Sequence, residues 1–282
     1  MDVVAPGEAP AKWDLYAGTP CWMELSTTDV EKACEFYAGL FGWEYDSHRH
    51  ERTGEHVIAY REGFPVASLR STSRERSTWR LYLATEDGPG AVRRAEDLGA
   101  HVQVPEHQVP DLGTKVVMVG PDDDEFGMLE PAETLRFDVG LPGTLMWAEL
   151  VTIKAQTADS FFGELFGYGF EQFGADNRSD YAVWYVGDES VLARVSMIRD
   201  YITTESQPHW LLYLGVDATI GVDDFMHRAI GLGGRVRVDP YDSSIGRAAV
   251  LRDPTGARFA VVDGTQAPGE FPSAANYDPY GD

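Results

Sequence analysis

The sequence predicts an α+β protein of two tandem domains, each built from two βαβββ modules. Its 282 residues exceed the usual length of a single domain. The first half of the chain resembles the second half at a fixed offset, and strand and helix patterns restart in the same order within each half. Two domains of one fold follow from these three observations.

The internal repeat is strongest at the start of each half. Aligning Trp22–Trp43 with Trp147–Tyr168 at an offset of 125 gives 9 identities in 22 positions. A second block pairs Trp79-Arg-Leu-Tyr-Leu83 with Trp210-Leu-Leu-Tyr-Leu214 at an offset of 131, so the second copy carries 6 extra residues between the blocks. Insertions of this size belong in surface loops.

The elements of the first copy follow from local patterns. Cys21–Thr27 alternates as a strand does, and Thr28-Asp-Val-Glu31 has the form of a capping box that opens a helix. Apolar residues then recur at helical spacing until Gly42 ends the pattern. Short β-type runs follow near 45–48, 56–61 and 66–69. The second module repeats this order, with a strand at 79–84, a helix at 89–98 closed by Gly99, and strands near 102, 115–119 and 126–130.

Changes in composition give the domain boundaries. The Pro- and Gly-rich stretch 132–142 is predicted to link a first domain, 17–131, to a second domain, 143–263. Residues 1–16 and 264–282 lack periodicity and are predicted to be terminal arms.

Charge and cysteine content narrow the class of partner. A net charge of -23 opposes binding to nucleic acid, whose phosphates require Lys and Arg. Only Cys21 and Cys34 are present, which favours a reducing cytoplasm, and neither a signal peptide nor a membrane-spanning segment is expected. We expect a monomer or homodimer.

Several motifs resemble one superfamily. Pro20-Cys-Trp-Met-Glu-Leu-Ser-Thr-Thr-Asp29, followed by Phe36-Tyr37 and Leu40-Phe-Gly-Trp43, resembles the glyoxalase/bleomycin-resistance (vicinal oxygen chelate) superfamily. The similarity is greatest to two-domain actinobacterial members described as glyoxalase-like or hydroxylase. The second half matches less well, with Lys154 in place of Asp29, but ends in the family-like Asp253-Pro-Thr-Gly256. The resemblance implies a curved sheet that lines a cleft in each domain.

The resemblance also locates the positions where metal-dependent members hold a divalent ion. Those positions correspond to Trp22 and Gly127 in the first domain and to Trp147 and Ala260 in the second. None of these side chains is a metal ligand, so no metal and no cofactor are predicted. His48 and His50 share a strand face, but their charged neighbours favour a solvated edge strand.

Candidate site residues follow from strand alternation, taken with the cavity face that the resemblance implies. Glu24 and Glu149 would point into the two clefts, where an apolar setting would raise their pKa and suit them to acid–base catalysis. The alternative is that each makes a structural hydrogen bond across the sheet. His209 is a further catalytic candidate, whereas Trp79 and Trp210 are expected to face the core. Trp22, Arg80, Tyr82, Trp147 and Tyr213 are candidate ligand-binding residues.

Three functions are compatible with these features. The first is a metal-independent tailoring enzyme of natural-product biosynthesis, acting on an aromatic, polyketide-like or polycyclic molecule through a pocket carboxylate. The second is a binding protein that sequesters a drug-like molecule and confers self-resistance. The third, a metal-dependent glyoxalase or dioxygenase, would need ligands that the alignment does not supply.

Overall fold

The computed structural model describes residues 16–50, 54–176, 179–196 and 208–267, which form two eight-stranded sheets. The first sheet and its helices define the first domain. Its elements are β1 (Pro20–Thr27), α1 (Val30–Phe41), β2 (Glu44–His50), β3 (Gly54–Arg61), β4 (Phe64–Ser71), β5 (Thr78–Ala84), α2 (Gly88–Asp97), β6 (His101–Val109), β7 (Gly113–Val119) and β8 (Glu125–Pro131).

The second domain repeats the same order of elements. They are β9 (Leu145–Thr152), α3 (Ala155–Phe166), β10 (Gly169–Asp176), β11 (Ser179–Val186), β12 (Glu189–Ser196), β13 (His209–Gly215), α4 (Val222–Gly231), β14 (Arg235–Ser243), β15 (Gly246–Arg252) and β16 (Arg258–Asp263). A short 3-10 helix, Gly264–Gln266, follows the last strand. The predicted α+β fold of paired βαβββ modules is confirmed.

Each sheet joins its two modules through their first strands. The order in the first sheet is β2-β3-β4-β1-β5-β8-β7-β6, and the second sheet follows the same order. The central pairs β1–β5 and β9–β13 are antiparallel. Residues in the middle of these pairs therefore lie at the centre of each sheet, with side chains alternating between its two faces.

Local sequence sets both ends of α1. The N-cap is Asp29, whose carboxylate accepts a hydrogen bond from the Lys32 amide, so the predicted cap at Thr28 was one residue early. The helix ends at Gly42, whose φ of 73° is a left-handed conformation that glycine adopts without strain. The predicted aromatic stripe is buried, including Phe36, Tyr37 and Phe41.

Helices pack between the two sheets and hold the domains together. The Phe36 ring of α1 lies 6.0 Å from the Phe259 ring of the second sheet, and the Phe162 ring of α3 lies 5.3 Å from Phe126 of the first sheet. Trp79 and Trp210 face this core, as expected. The helices thus cover one face of each sheet, and the opposite face holds the candidate sites.

The structure locates the insertion in the second copy. An offset of 125 relates the first residue of each strand from β9 to β12 to its equivalent in the first domain, and it still holds at the end of β12. The offset is 131 at the start of β13, so the 6 extra residues lie between Ser196 and His209. Of this connection, residues 197–207 lie outside the described residues.

Two other expectations fall wholly or partly outside the described residues. They concern the arm residues 1–15 and 268–282 and the side chains of His48 and His50. In the described ranges, no helix has both the length and the apolarity needed to cross a membrane.

Candidate functional site

The centre of the first sheet holds a buried carboxylate surrounded by cations. Glu24 on β1 is 1% exposed. Its Oε1 lies 3.1 Å from Arg80 Nη1 and 3.0 Å from Arg70 Nε. Lys115 Nζ forms an ion pair with Oε2, and the Tyr82 hydroxyl donates to Oε1 at 3.2 Å. We call Glu24, Arg70, Arg80, Tyr82 and Lys115 the Glu24 cluster.

This arrangement reverses the expected pKa of Glu24. Burial by itself would raise the pKa, but the charges of Lys115, Arg80 and Arg70 outweigh it and hold the pKa of Glu24 well below its ordinary value. The predicted raised pKa is therefore wrong for this residue. Glu24 is a fixed anion at neutral pH and is poorly suited to exchange protons there.

Further polar side chains extend the Glu24 cluster in two directions. Arg80 Nη2 also lies 2.8 Å from Glu125, which pairs with Arg74 and accepts a hydrogen bond from Gln103. On the other side, Trp22 Nε1 donates to Ser68 Oγ at 3.0 Å, and Ser68 Oγ lies 3.4 Å from Glu24 Oε2. Trp22 is 1% exposed, so its ring is fixed in the core rather than lining an open cleft.

The centre of the second sheet places Glu149 among phenols. Glu149 on β9 is 1% exposed and accepts hydrogen bonds from Tyr213 at 2.7 Å and Tyr181 at 3.1 Å. The Tyr213 hydroxyl lies 3.3 Å from that of Tyr241. Burial, followed by the charge of Glu149, raises the pKa of Tyr181, so this phenol stays protonated and donates.

Strand registers allow the two centres to be compared position by position. Arg80 pairs with Glu24 across β1 and β5, and the equivalent partner of Glu149 is Leu211. The same comparison matches the other residues of the first centre to smaller or less polar ones. These matches are Arg70 with Val195, Ser68 with Ala193, His56 with Tyr181 and Lys115 with Ala248. None of the three cations beside Glu24 is repeated at its equivalent position beside Glu149.

The face around Glu149 is correspondingly apolar. Two clusters of buried residues flank it, one from β9, β13, β15 and β16 and the other from β11 and β12. His209 lies further along β13, half-buried, with its Nε2 at 3.1 Å from Arg258 Nη1. We call this buried part of the sheet face, from Val195 through Glu149 to Ala248, the Glu149 face.

Trp147 connects the Glu149 face to a cleft at the domain junction. The cleft has a volume of about 180 Å³, and its apolar lining includes Phe137, Val139 and Met146 besides Trp147. Because Ala193 replaces Ser68, the buried Trp147 Nε1 has no acceptor like that of Trp22 and makes no hydrogen bond of normal geometry within the described ranges. The indole nevertheless lies close enough to Tyr181 to lower the pKa of that phenol, against the larger effect of burial, which raises it.

Among the described residues, neither centre gathers the side chains that a metal ion needs. Glu24 is paired with three cations, and the described partners of Glu149 are tyrosine hydroxyls. In the part of the chain that the structure describes, no three His, Cys, Asp or Glu side chains come together in a group that could hold a metal. Gly127, one of the inferred ligand positions, lies directly against the Tyr82 ring.

Comparison with known proteins places this geometry in a family. A glyoxalase-like domain model matches residues 22–129. The anthracycline biosynthesis protein DauV of Streptomyces sp. (strain C5) is 31% identical to this chain, and the match covers 92% of this chain and 97% of DauV. The chain belongs to the glyoxalase-like, vicinal oxygen chelate superfamily. Within this superfamily, the putative glyoxylase CFP32 of Mycobacterium tuberculosis is 30% identical, over 90% of this chain and 97% of that protein.

Solved structures of the superfamily share the fold at low identity. The Mn(II)-bound glyoxalase of Novosphingobium aromaticivorans superposes with a TM-score of 0.62 at 16% identity, over 89% of this chain and 85% of that one. The 2,3-dioxygenase LapB of Pseudomonas sp. KL28 gives 0.61 at 15% identity, over 94% and 97% of the two chains.

Sequence reasoning found part of each centre. It named Glu24, Arg80 and Tyr82, which meet in the first domain, and Glu149 and Tyr213, which meet in the second. It missed residues on strands remote in sequence, namely Arg70, Lys115, Ser68, Tyr181 and Tyr241. The change from Arg80 to Leu211 within the aligned blocks was the available signal that the two centres differ.

Proposed function

We propose that this protein is a small-molecule tailoring enzyme that binds an aromatic or polycyclic ligand at the Glu149 face and uses Glu149 as its acid–base group. The observation that carries the proposal is the replacement of the three cations beside Glu24 by Leu211, Ala248 and Val195 beside Glu149. The first centre holds its carboxylate as a fixed charge. In the second, the equivalent positions carry hydrocarbon side chains, and the described hydrogen bonds to the carboxylate come from the hydroxyls of Tyr181 and Tyr213.

The chemistry of the Glu149 face suits a largely apolar ligand with a few oxygen atoms. Pockets of this kind are mostly hydrophobic, and a small number of polar groups orient the ligand. Trp147 Nε1 is a buried donor whose contact with the Tyr181 hydroxyl falls short of normal hydrogen-bond geometry, and a buried donor that is left fully unmet costs about 1–3 kcal/mol. A carbonyl or phenolic oxygen of the ligand would satisfy it, while the indole ring would stack on an aromatic system.

The reaction assigned to Glu149 is a proton transfer. Its carboxylate would take a proton from an acidic C–H or O–H of the ligand and return it at another atom, which gives an isomerisation or a cyclisation. Such a step balances without an oxidant. Tyr181 and Tyr213 would hold the carboxylate in position through their hydrogen bonds.

Relatives support the setting in natural-product biosynthesis. Besides DauV, the anthracycline biosynthesis protein DnrV of Streptomyces peucetius is 30% identical over 92% of this chain. Anthracyclines are polycyclic aromatic molecules, which is the ligand class that the Glu149 face favours. We therefore include in the proposal a role in the biosynthesis of an anthracycline or a similar compound.

Sequestration of such a molecule without reaction is the second candidate, because the same aromatic and apolar contacts would hold a product. The two functions differ in stoichiometry. An enzyme consumes many equivalents of its substrate, whereas a sequestering protein retains one equivalent per site unchanged.

The test is mass spectrometry of an extract of the source organism incubated with purified, metal-stripped protein or with its Glu149→Gln variant. Glutamine keeps the shape of the side chain but cannot accept a proton. If the wild-type protein consumes one metabolite in many-fold molar excess over itself and the variant does not, the enzyme function is supported. Stoichiometric retention of an unchanged metabolite would favour sequestration. If the protein neither consumes nor retains a metabolite, both functions are refuted.

A further inference from the structure

Arg70, the partly exposed arginine of the Glu24 cluster, has hydrogen-bond donors that the cluster does not use. Arg70 uses Nε for Glu24, at 3.0 Å, and for Ser26 Oγ, at 3.3 Å. Its two terminal amino groups have no hydrogen bond or ion pair within the described residues. The side chain is 32% exposed, so this end of the guanidinium is open to solvent and to a solute.

The buried imidazole of His56 lies beside Arg70. His56 on β3 is the direct cross-strand partner of Arg70 on β4, and directly opposed side chains in a sheet lie in contact range. His56 is 7% exposed, and its buried Nε2 has no hydrogen-bond partner in the described part of the chain. Burial, followed by the charge of Lys115, lowers the pKa of His56 to about 4, so the ring is neutral and can donate from Nε2 in one tautomer.

The Glu24 cluster, taken together with Arg74 and Glu125, carries a surplus of positive charge. The cations of this larger group are Arg70, Arg74, Arg80 and Lys115, and its carboxylates are Glu24 and Glu125. Four cations against two anions leave a net charge of +2 in a chain whose total is -23. One more donor, the buried Arg80 Nε, also has no partner among the described atoms.

We propose that the first domain contains a second binding site, separate from the Glu149 face, in which the free end of Arg70 and His56 Nε2 bind the carboxylate of an organic ligand. A guanidinium presents parallel N–H donors that match the two oxygens of a carboxylate. The surplus positive charge would compensate the added anion. The second domain has Val195 and Tyr181 at these positions, so the site belongs to the first domain alone.

The test is a titration of the full-length protein with sodium benzoate, sodium acetate and inorganic phosphate, against sodium chloride at equal ionic strength. The readout is the NMR signal of the His56 ring, assigned with a His56→Gln variant among the 7 histidines of the chain. We expect the carboxylates to shift this signal saturably. Arg70→Gln should weaken their binding about tenfold or more, because it removes charge-assisted hydrogen bonds.

Arg247→Gln is the matched control, since it removes the same charge from a partly exposed ion pair with Asp223 in the second domain. It should titrate like the wild type, and so should Glu149→Gln, which separates this site from the proposed enzyme. Should Arg70→Gln fail to fold, Arg70→Lys is the second variant. It keeps the positive charge but loses the parallel N–H donors of the guanidinium, and it too should bind the carboxylates more weakly. Unaltered titration in the Arg70 variants, no saturable shift, or tighter binding of phosphate than of carboxylate would overturn the assignment.

Discussion

Replacing Glu24 by glutamine should destabilise the protein far more than the same change at Glu149. The substitution preserves shape but removes the carboxylate paired with Lys115 and one of the two carboxylates paired with Arg80, and these two cationic side chains are only 4% and 2% exposed. Removing one partner of a buried ion pair costs about 3–5 kcal/mol. Glu149→Gln retains an oxygen that accepts from a tyrosine hydroxyl, so its cost should be about 1 kcal/mol.

Urea denaturation followed by circular dichroism and tryptophan fluorescence measures this difference in the free energy of unfolding. Its pH dependence is a second test. Because folding lowers the pKa of Glu24 from its ordinary value of 4.5, the ionised carboxylate stabilises the fold above that pH, and this contribution is lost as the pH falls towards the folded value. The gap between wild type and Glu24→Gln should therefore be constant at neutral pH and shrink in acid. Equal costs for the two glutamine variants, or a gap that widens in acid, would show that Glu24 is not a buried carboxylate held ionised by its cations.

Three further predictions follow from single contacts. Burial, followed by the charge of Asp122, raises the pKa of Asp124 from 3.8 to about 7, so stability that is fully present below pH 3.8 is lost as the pH rises from there through 7. Relative to the wild type, Asp124→Asn should gain up to on the order of 4 kcal/mol in the free energy of unfolding at pH 8.5 and less than half of that at pH 5, which melting temperatures at the two pH values would show. A Cβ at Gly127 would lie 2.1 Å from the Tyr82 ring, so Gly127→Ala should cost about 1–3 kcal/mol or more in chemical denaturation, whereas Ala260→Gly at the equivalent position should cost less. Ala193→Ser should give Trp147 the acceptor that Ser68 gives Trp22 and stabilise the second domain by about 1 kcal/mol, and a thermal melt showing destabilisation would contradict this.

Much of the fold could be predicted because short-range patterns specify it. Gly42 and Gly167 end α1 and α3 in the same left-handed conformation, at equivalent positions of the repeat. The first helix cap was misplaced because Thr28 and Asp29 are both good capping residues, and only the strand that ends at Thr27 decides between them.

The electrostatics of the site could be predicted only in part. Strand alternation put Glu24 in the right place, but its pKa depends on Lys115 and Arg70, which reach it through strand pairing and the curvature of the sheet. Pairing registers contain bulges that a single sequence does not reveal, such as the one between Val104 and His107 on β6. Tyr181 and Tyr241 join Glu149 for the same long-range reason.

The most direct test of the central claim, that the second domain does the chemistry, is the rate of metabolite loss for Glu149→Gln and Glu24→Gln side by side under conditions in which both are folded. Removing a general acid–base group lowers a rate by about 10²–10⁴-fold. We predict that loss for Glu149→Gln and a nearly unchanged rate for folded Glu24→Gln. A large loss for Glu24→Gln with Glu149→Gln fully active would instead place the reaction in the first domain.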